Sequence, residues 1–471
     1  MRLYPFEPKS LWLDESVEYL VAARPVGEVP LAARDLTHDP PFLGLLLSLW
    51  MEEGRSDLYL RMVPISFSML TIAAVYALSR RAFTFWVGIL AALLMAIAPR
   101  SVYYGQEIGQ YALAPFFAIV GLIALEAFLR ESSLKSWGNF FLIGIVAFFV
   151  YYPLVIYIAA MMVVGTLYVL AKRSWRDLRL WIGGGILIGV VGLLLWFLYT
   201  LPQKERLPDG FAVARYTMGA INPVTEVVSW GKQTAEIVGF LYWGHSPSDL
   251  KWLTVGLLLI GVSVALVQSQ SRRLSLYLIS GLGVSYLASG FGFFVYSYHR
   301  YLWHFFPLCT ILISAAALFP LRARQKPLRL AGILLSGLLV GLFIVRLPVV
   351  SGIPEEEVEQ LAQVVSYVES HWEADDRVYV YYGAAPAFSV YANETMLQAA
   401  VVESWIRSAS AEEKWSRVWQ IAAGRPRVWV LFSHVWEDDE RSLLEGLTAH
   451  CRRLDGIQKI KANGYLFDCS D

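Results

Sequence analysis

Charge is scarce in this 471-residue chain. Asp, Glu, Lys and Arg make up 17% of it, against about 25% in an ordinary soluble domain. The deficit is uneven: residues 61–347 hold long apolar runs, whereas 351–471 read as an ordinary soluble domain. Net charge is also absent. The 39 basic and 39 acidic residues cancel, so there is no basic face to bind nucleic acid. Only three cysteines occur, Cys309, Cys451 and Cys469. That number excludes a disulfide-rich scaffold, and their spacing excludes a CxxC metal site. No internal repeat or low-complexity segment is visible, and Met1–Ser10 lacks the apolar core of about 7–15 residues that a signal peptide needs. Apolar residues are abundant instead, at 56% of the chain, with a mean hydropathy of +0.49.

A membrane-spanning helix needs about 20 mainly apolar residues. Spans are expected at 61–79, 84–99, 112–130, 137–151, 153–171, 178–200, 252–270, 274–296, 300–320 and 328–347. Pro153 marks either a boundary between two spans or a kink inside one long helix. Cytoplasmic loops collect Lys and Arg. Arg80-Arg81, Arg130/Lys135, Lys172-Arg173, Arg272-Arg273 and Arg322/Arg324/Lys326 all fall on one side if 137–171 crosses twice. That alternation puts residues 1–60, 100–111, 201–251 and 348–471 outside the cytoplasm of a multi-pass inner (plasma) membrane protein. Both termini are then outside, yet nothing apolar precedes Leu11 to carry the N-terminus across. Either a start-site truncation removed one N-terminal span or the N-terminus inserts unusually, and truncation is the reading favoured.

The fold class expected is mainly α. A polytopic transmembrane helical domain at 1–350 is followed by a small extracytoplasmic α/β domain at 351–471. Within the outer loop 14–60, Phe42–Met51 is too short to span and reads as an interfacial helix. Residues 201–251, with four prolines, read as a long outer loop. In the tail, helices are expected at 355–371, 385–392, 412–423 and 437–450, and strands at 377–382, 427–432, 456–460 and 464–468. Asn463-Gly464 is the turn signal between the last two strands. Pairing about that turn does not automatically set Cys451 opposite Cys469, so a bridge and two free thiols both stay open. Trp372, Trp415 and Trp429 read as tail core.

Two acidic loops carry the candidate chemistry. Asp14 and Glu15 follow the apolar triplet Leu11-Trp12-Leu13, and Glu107 lies between two spans in Ser101–Leu113. Ionisable groups at a membrane boundary read as functional by default. A positioned carboxylate can take the proton of an attacking hydroxyl or amine. A lipid-phosphate leaving group needs cations, and Arg61, Arg100, His299 and Arg300 are the candidates. Asp14 and Glu107 brought together would suit Mg²⁺, Mn²⁺ or Zn²⁺. The competing plain reading makes Asp14-Glu15 a cap and first-turn acid for a helix from Ser16.

Four stretches, SLWLDES, PPFLGLLLSLWM, DLYLRMVPISFSMLTIAAVYALSRRAF and YYGQEIGQYAL, together resemble the type C glycosyltransferase superfamily. The likeness is to its bacterial polyprenyl-phosphate-sugar-dependent branch, related to the protein O-mannosyltransferases and the lipid A aminoarabinose transferase. It covers the first 170 residues or so and, loosely, His299–Leu302. The resemblance implies sugar transfer from a polyprenyl-phosphate donor to a lipid, glycan or protein acceptor at the outer face. It implies Asp14 as general base, Glu107 organising the site or a divalent metal, and a membrane span ahead of Asp14. Glu15 is grouped with the catalytic acids, and Arg61, Arg300, Tyr104, Gln106, Tyr111 and His38 with substrate binding. Two positions depart from the family pattern. Gly109 stands where an Arg is usual, and Asp39 separates His38 from Pro40-Pro41. The rivals are a non-enzymatic transporter or flippase, which would show charges mid-span and paired repeats, and an inactive structural relative.

Overall fold

The computed structural model describes residues 10–206, 223–243, 248–291, 296, 299–351, 359–402, 411–436 and 438–470. Three short helices open it: α1 (Leu13–Ala22), α2 (Val29–Leu36) and α3 (Phe42–Trp50). The apolar run expected at 42–51 is thus a helix. It buries Leu43 and Leu47 against α1 and leaves Leu49 and Trp50 exposed.

The membrane layer follows. It comprises α4 (Asp57–Ala82), α5 (Phe85–Ile97), the short α6 (Pro99–Tyr104), α7 (Leu113–Glu131), α8 (Leu134–Val150), α9 (Pro153–Lys172) and α10 (Trp175–Leu195). A π-turn at Trp196–Thr200 carries α10 into α11 (Leu201–Arg206), and α12 (Pro223–Trp243), α13 (Ser248–Val267) and α14 (Arg272–Gly290) come next. A 3-10 turn, His299–Phe305, leads into α15 (Phe306–Leu318), and α16 (Lys326–Ser351) closes the layer.

Among the described residues, seven helical stretches are long and apolar enough to cross a membrane, and they match seven of the ten expected spans. Two more, α5 and α8, are apolar but shorter. The tenth, α14, is helical but diluted by Ser275, Ser280, Ser285 and Ser289. Pro153 sits at the first position of α9, where its missing N–H is harmless, and Val150 ends α8, so these are two helices. Between α7 and α14, the buried Glu126 carboxylate accepts from Arg273 Nε at 2.7 Å and from the Tyr277 hydroxyl at 3.2 Å.

Residues 201–251 differ from the expected loop. Helix α12 occupies 223–243, with Pro223 starting it rather than breaking it. Ile237, Val238, Leu241 and Tyr242 make one buried stripe against the bundle. Pro208 and Pro247 lie outside the described residues.

The C-terminal unit contains α17 (Leu361–Ser370), β1 (Arg377–Val380), α18 (Ala385–Tyr391), α19 (Glu394–Ala399), β2 (Ala400–Val402), α20 (Ala411–Ala422), β3 (Val428–Ser433), α21 (Asp439–His450), β4 (Arg452–Lys459) and β5 (Ala462–Asp468). The sheet order is β2-β1-β3-β5-β4. The β2/β1/β3 part is parallel, and β5 and β4 are antiparallel to their neighbours. Successive strand residues point to opposite faces. Val378, Val380, Trp429 and Leu431 pack under α17 and α18, while Tyr379, Tyr381, Val430 and Phe432 pack against α20 and α21. Trp429 is core, as expected, and its indole donates to Asp376 at 3.0 Å. Helix α19 and strand β2 had no clear sequence signal. Val358 and the start of the expected 355–371 helix lie outside the described residues.

The last hairpin corrects the turn assignment. Asn463-Gly464 is inside β5, and the turn is Ile460-Lys461, with Lys461 at φ +48°. Gly464 is drawn into the sheet because it pairs on both sides, with Leu431 and Ile457. A side chain there would meet Val364 at 2.9 Å and Leu431 at 3.0 Å. With the turn so placed, Arg452 pairs with Asp468, which sets the flanking Cys451 and Cys469 opposite each other. They form a disulfide with a Cα–Cα distance of 4.5 Å, and Cys309 is a buried free thiol. Cys469→Ser in the unreduced protein should lower the tail's stability by about 3 kcal/mol on the chain-entropy account of loop closure. Denaturant unfolding of the two proteins measures it, and equal midpoints would refute it.

Candidate functional site

Helix α1 begins at Leu13, three residues before the expected start, so Asp14 and Glu15 both lie in its first turn. Glu15 folds back so that Oε2 accepts from the Trp12 N–H at 3.4 Å. Its main partner is Arg61 on α4: Nη1 donates to Oε1 at 2.5 Å and Nη2 to Oε2 at 2.8 Å. Both residues are almost fully buried. Arg61 Nη1 also donates to the Gln106 carbonyl at 2.8 Å, and the Ile108 N–H donates to Glu15 Oε1 at 2.9 Å. One carboxylate therefore joins α1, α4 and the loop 105–112. The two acidic loops expected to meet are joined through Glu15, which accepts from the Ile108 N–H.

Asp14 points elsewhere. Its side chain is 56% open, and its carboxylate lies 3.9 Å from Arg300 Nη1. Its carboxyl is nonetheless raised above the ordinary value, because surrounding protein desolvates it. Arg300 and His434 pull it back, and Glu359 and Glu15 oppose them. Arg300 in turn lies over the Trp12 ring, 5.2 Å from its centroid.

Two further carboxylates adjoin Asp14. Glu18 is one helical turn along α1, buried, and accepts from Gln110 Nε2 at 2.9 Å. Burial, then the charge of Asp39, raises its pKa. Burial, then the charge of Asp14, raises that of Asp39. Gln110 bonds both side chains and lowers both values in part. The i, i+4 spacing of Asp14 and Glu18 could have revealed their shared face; nothing local points to Gln110 or Asp39. Burial also lowers the pKa of His38 beside Asp39.

The remaining candidates pack around this centre. Glu107 is buried, and its charge and that of Asp14 both act on the Tyr111 hydroxyl. Gly109, the departure from the family pattern, lies against the Tyr111 ring. Tyr104 is buried between Trp303 (4.7 Å between ring centroids) and Tyr111 (5.1 Å). Gln106 is buried and supplies its carbonyl to Arg61. Arg100 is also buried, over the ring of Phe240 at 4.7 Å, and Phe240 stacks on His299 at 4.4 Å. Two cations expected at the outer face are thus gathered around one residue of the unforeseen α12. Among the described residues, no group of three or more His, Cys, Asp or Glu side chains is arranged to hold a metal ion.

The protein is thus a polytopic helical membrane protein with a small α/β domain and an open carboxylate beside an arginine. A family model described as dolichyl-phosphate-mannose-protein mannosyltransferase matches residues 38–214. The whole fold is similar to ArnT from Cupriavidus metallidurans. For its apo state the TM-score is 0.56 at 12% identity, with 97% of this chain and 94% of that chain covered. For ArnT bound to undecaprenyl phosphate the TM-score is 0.59 at 10% identity, with the same coverage. No curated protein sequence matches the chain. The chain has an ArnT-like fold, and its residues 38–214 are similar to that mannosyltransferase family.

Breaking the buried pair should be severe. Glu15→Gln leaves the Arg61 guanidinium buried without its counter-charge, a loss of about 3–5 kcal/mol. Thermal unfolding in detergent should fall sharply, and a variant as stable as the parent would show that the pair does not organise the loops.

Proposed function

We propose that the protein is a membrane glycosyltransferase that moves a sugar from a polyprenyl-phosphate donor to a lipid, glycan or protein acceptor on the extracytoplasmic side. The observation that carries this reading is an open carboxylate, Asp14, set 3.9 Å from an arginine, Arg300. That is the pairing a direct displacement needs.

The acceptor hydroxyl or amine gives its proton to the Asp14 carboxylate as its heteroatom bonds to the anomeric carbon. The bond from that carbon to the phosphate oxygen breaks, and its electron pair leaves on the polyprenyl phosphate. Arg300 offsets the charge that develops there. One displacement inverts the anomeric configuration. Glu107 and Asp14 both act on Tyr111, and we assign Glu107, His38 and Tyr104 to substrate binding beside Asp14. Arg61 and Glu15 bind each other, so we assign them to holding the loops rather than to the donor phosphate. The ArnT structure with undecaprenyl phosphate supports a lipid-phosphate ligand for this fold. The Cys451–Cys469 bridge supports a tail outside the cytoplasm, because disulfides persist in oxidising compartments.

Asp14→Asn keeps the shape and removes the proton acceptor. Turnover of polyprenyl-phosphate sugars in reconstituted membranes should fall by about a hundredfold or more with folding intact, and near-normal turnover would assign the base elsewhere. A transporter would give no transfer with any donor in the same assay. For topology, single cysteines placed at Glu205 and Ala400 should react with an impermeant reagent from outside, and one at Gln325 only from inside. Labelling of the Ala400 site from the cytoplasm would overturn the outer-domain assignment.

A further inference from the structure

The Asp14 loop is held from both sides by the C-terminal domain. Tyr391, the last residue of α18, accepts a hydrogen bond from the Leu11 N–H at 2.7 Å. The same hydroxyl donates to Asp57 Oδ2 at 2.7 Å. Asp57 is the first residue of α4, and Arg61, one turn further on, holds Glu15. A single hydroxyl thus ties the residue three before Asp14 to the helix that clamps the residue after it. Ser10 joins the same contact, its Oγ accepting from the Ala362 N–H at 3.1 Å.

On the other side stands His434, just past β3. Its ring centroid is 6.1 Å from that of Trp12, whose ring also lies beneath Arg300. Nδ1 of His434 lies 2.5 Å from Oε1 of the buried Glu359, and the Ser433 hydroxyl donates to Glu359 Oε2 at 3.3 Å. His434 takes φ +50°, a left-handed conformation uncommon for non-glycine residues, though His adopts it more readily than most. Gly383 makes room for it: a Cβ there would stand 2.6 Å from the His434 carbonyl oxygen. The tail backbone is bent to bring this imidazole to Trp12.

We propose that Tyr391 and His434 are positioning residues for Asp14, and that the C-terminal domain is thereby a working part of the active site. The chemistry being positioned rests on the transferase reading; the positioning itself does not. An untethered loop leaves Asp14 in its first turn but lets it drift, and displacements near 1 Å are enough to slow a displacement reaction greatly.

The test uses the full chain in nanodiscs. Tyr391→Phe keeps the ring and removes both hydrogen bonds. His434→Ala is made together with Glu359→Gln, so that no unpaired carboxylate is left buried. Hydrogen exchange should accelerate in the peptide covering 10–16 and stay unchanged in β1, β3 and β5. In the transfer assay kcat should fall about tenfold or more with KM for the lipid donor within about twofold. Unchanged exchange at 10–16 in both variants overturns the proposal, as does faster exchange with unchanged turnover. Acceleration spread through the sheet means the tail has simply unfolded, which also overturns it. If the parent protein turns over no donor, the transferase reading fails alone and the exchange result decides the positioning by itself.

Discussion

The site depends on one buried ion pair. Taking Glu15 and Arg61 out of water is costly, and their attraction repays it only with good geometry and filled hydrogen-bonding positions. Both conditions are met: the pair is bidentate, and the Ile108 N–H, the Trp12 N–H and the Gln106 carbonyl take up further positions. Its partners come from α1, α4 and the 105–112 loop, so satisfying one charge fixes the relation of three segments. Asp14, adjacent in sequence but turned away, is left open toward Arg300. Neighbouring acids on one helical turn thus have opposite fates, one buried and neutralised, the other accessible and raised in pKa.

A second constraint comes from the tail. Its sheet has helices on both faces, yet α18 also packs on α1, and Tyr391 and His434 reach the same short loop. The Cys451–Cys469 bridge closes the hairpin of β4 and β5, and β5 lies beside β3, whose end delivers His434. The rigidity of a small α/β unit is thereby transmitted to a membrane-domain loop through hydrogen bonds and the tilted Trp12–His434 ring contact.

Much of this was legible in the sequence because the signals were local. Apolar length marked the spans, short apolar runs marked β1 and β3, and helical spacing of apolar residues marked α17. The acidic loops stood out because charges are rare near long apolar runs, and Arg300 lay next to one such run. The errors came where a local signal competed with tertiary pairing. Asn463-Gly464 has turn chemistry, but strand partners on two sides pulled it into β5. Four prolines suggested a loop over 201–251, but Pro223 opens a helix whose stripe is buried by the bundle.

The sequence by itself determined the kind of molecule: a multi-span helical layer, a small α/β tail, and two acidic loops of which Asp14 and Glu107 are the marked members. Periodicity and hydropathy act over a few residues to a few turns, and one chain is enough to read them. The tertiary structure decided which acid is buried and which is open, that Arg61 faces Glu15 while Arg300 faces Asp14, and that Gln110, Asp39, Tyr391 and His434 converge on the same loop. Leu11 and Tyr391 are 380 residues apart, and no pattern in the chain encodes such a contact. It exists because two packed cores bring one backbone N–H and one hydroxyl to 2.7 Å, and buried donors must find acceptors.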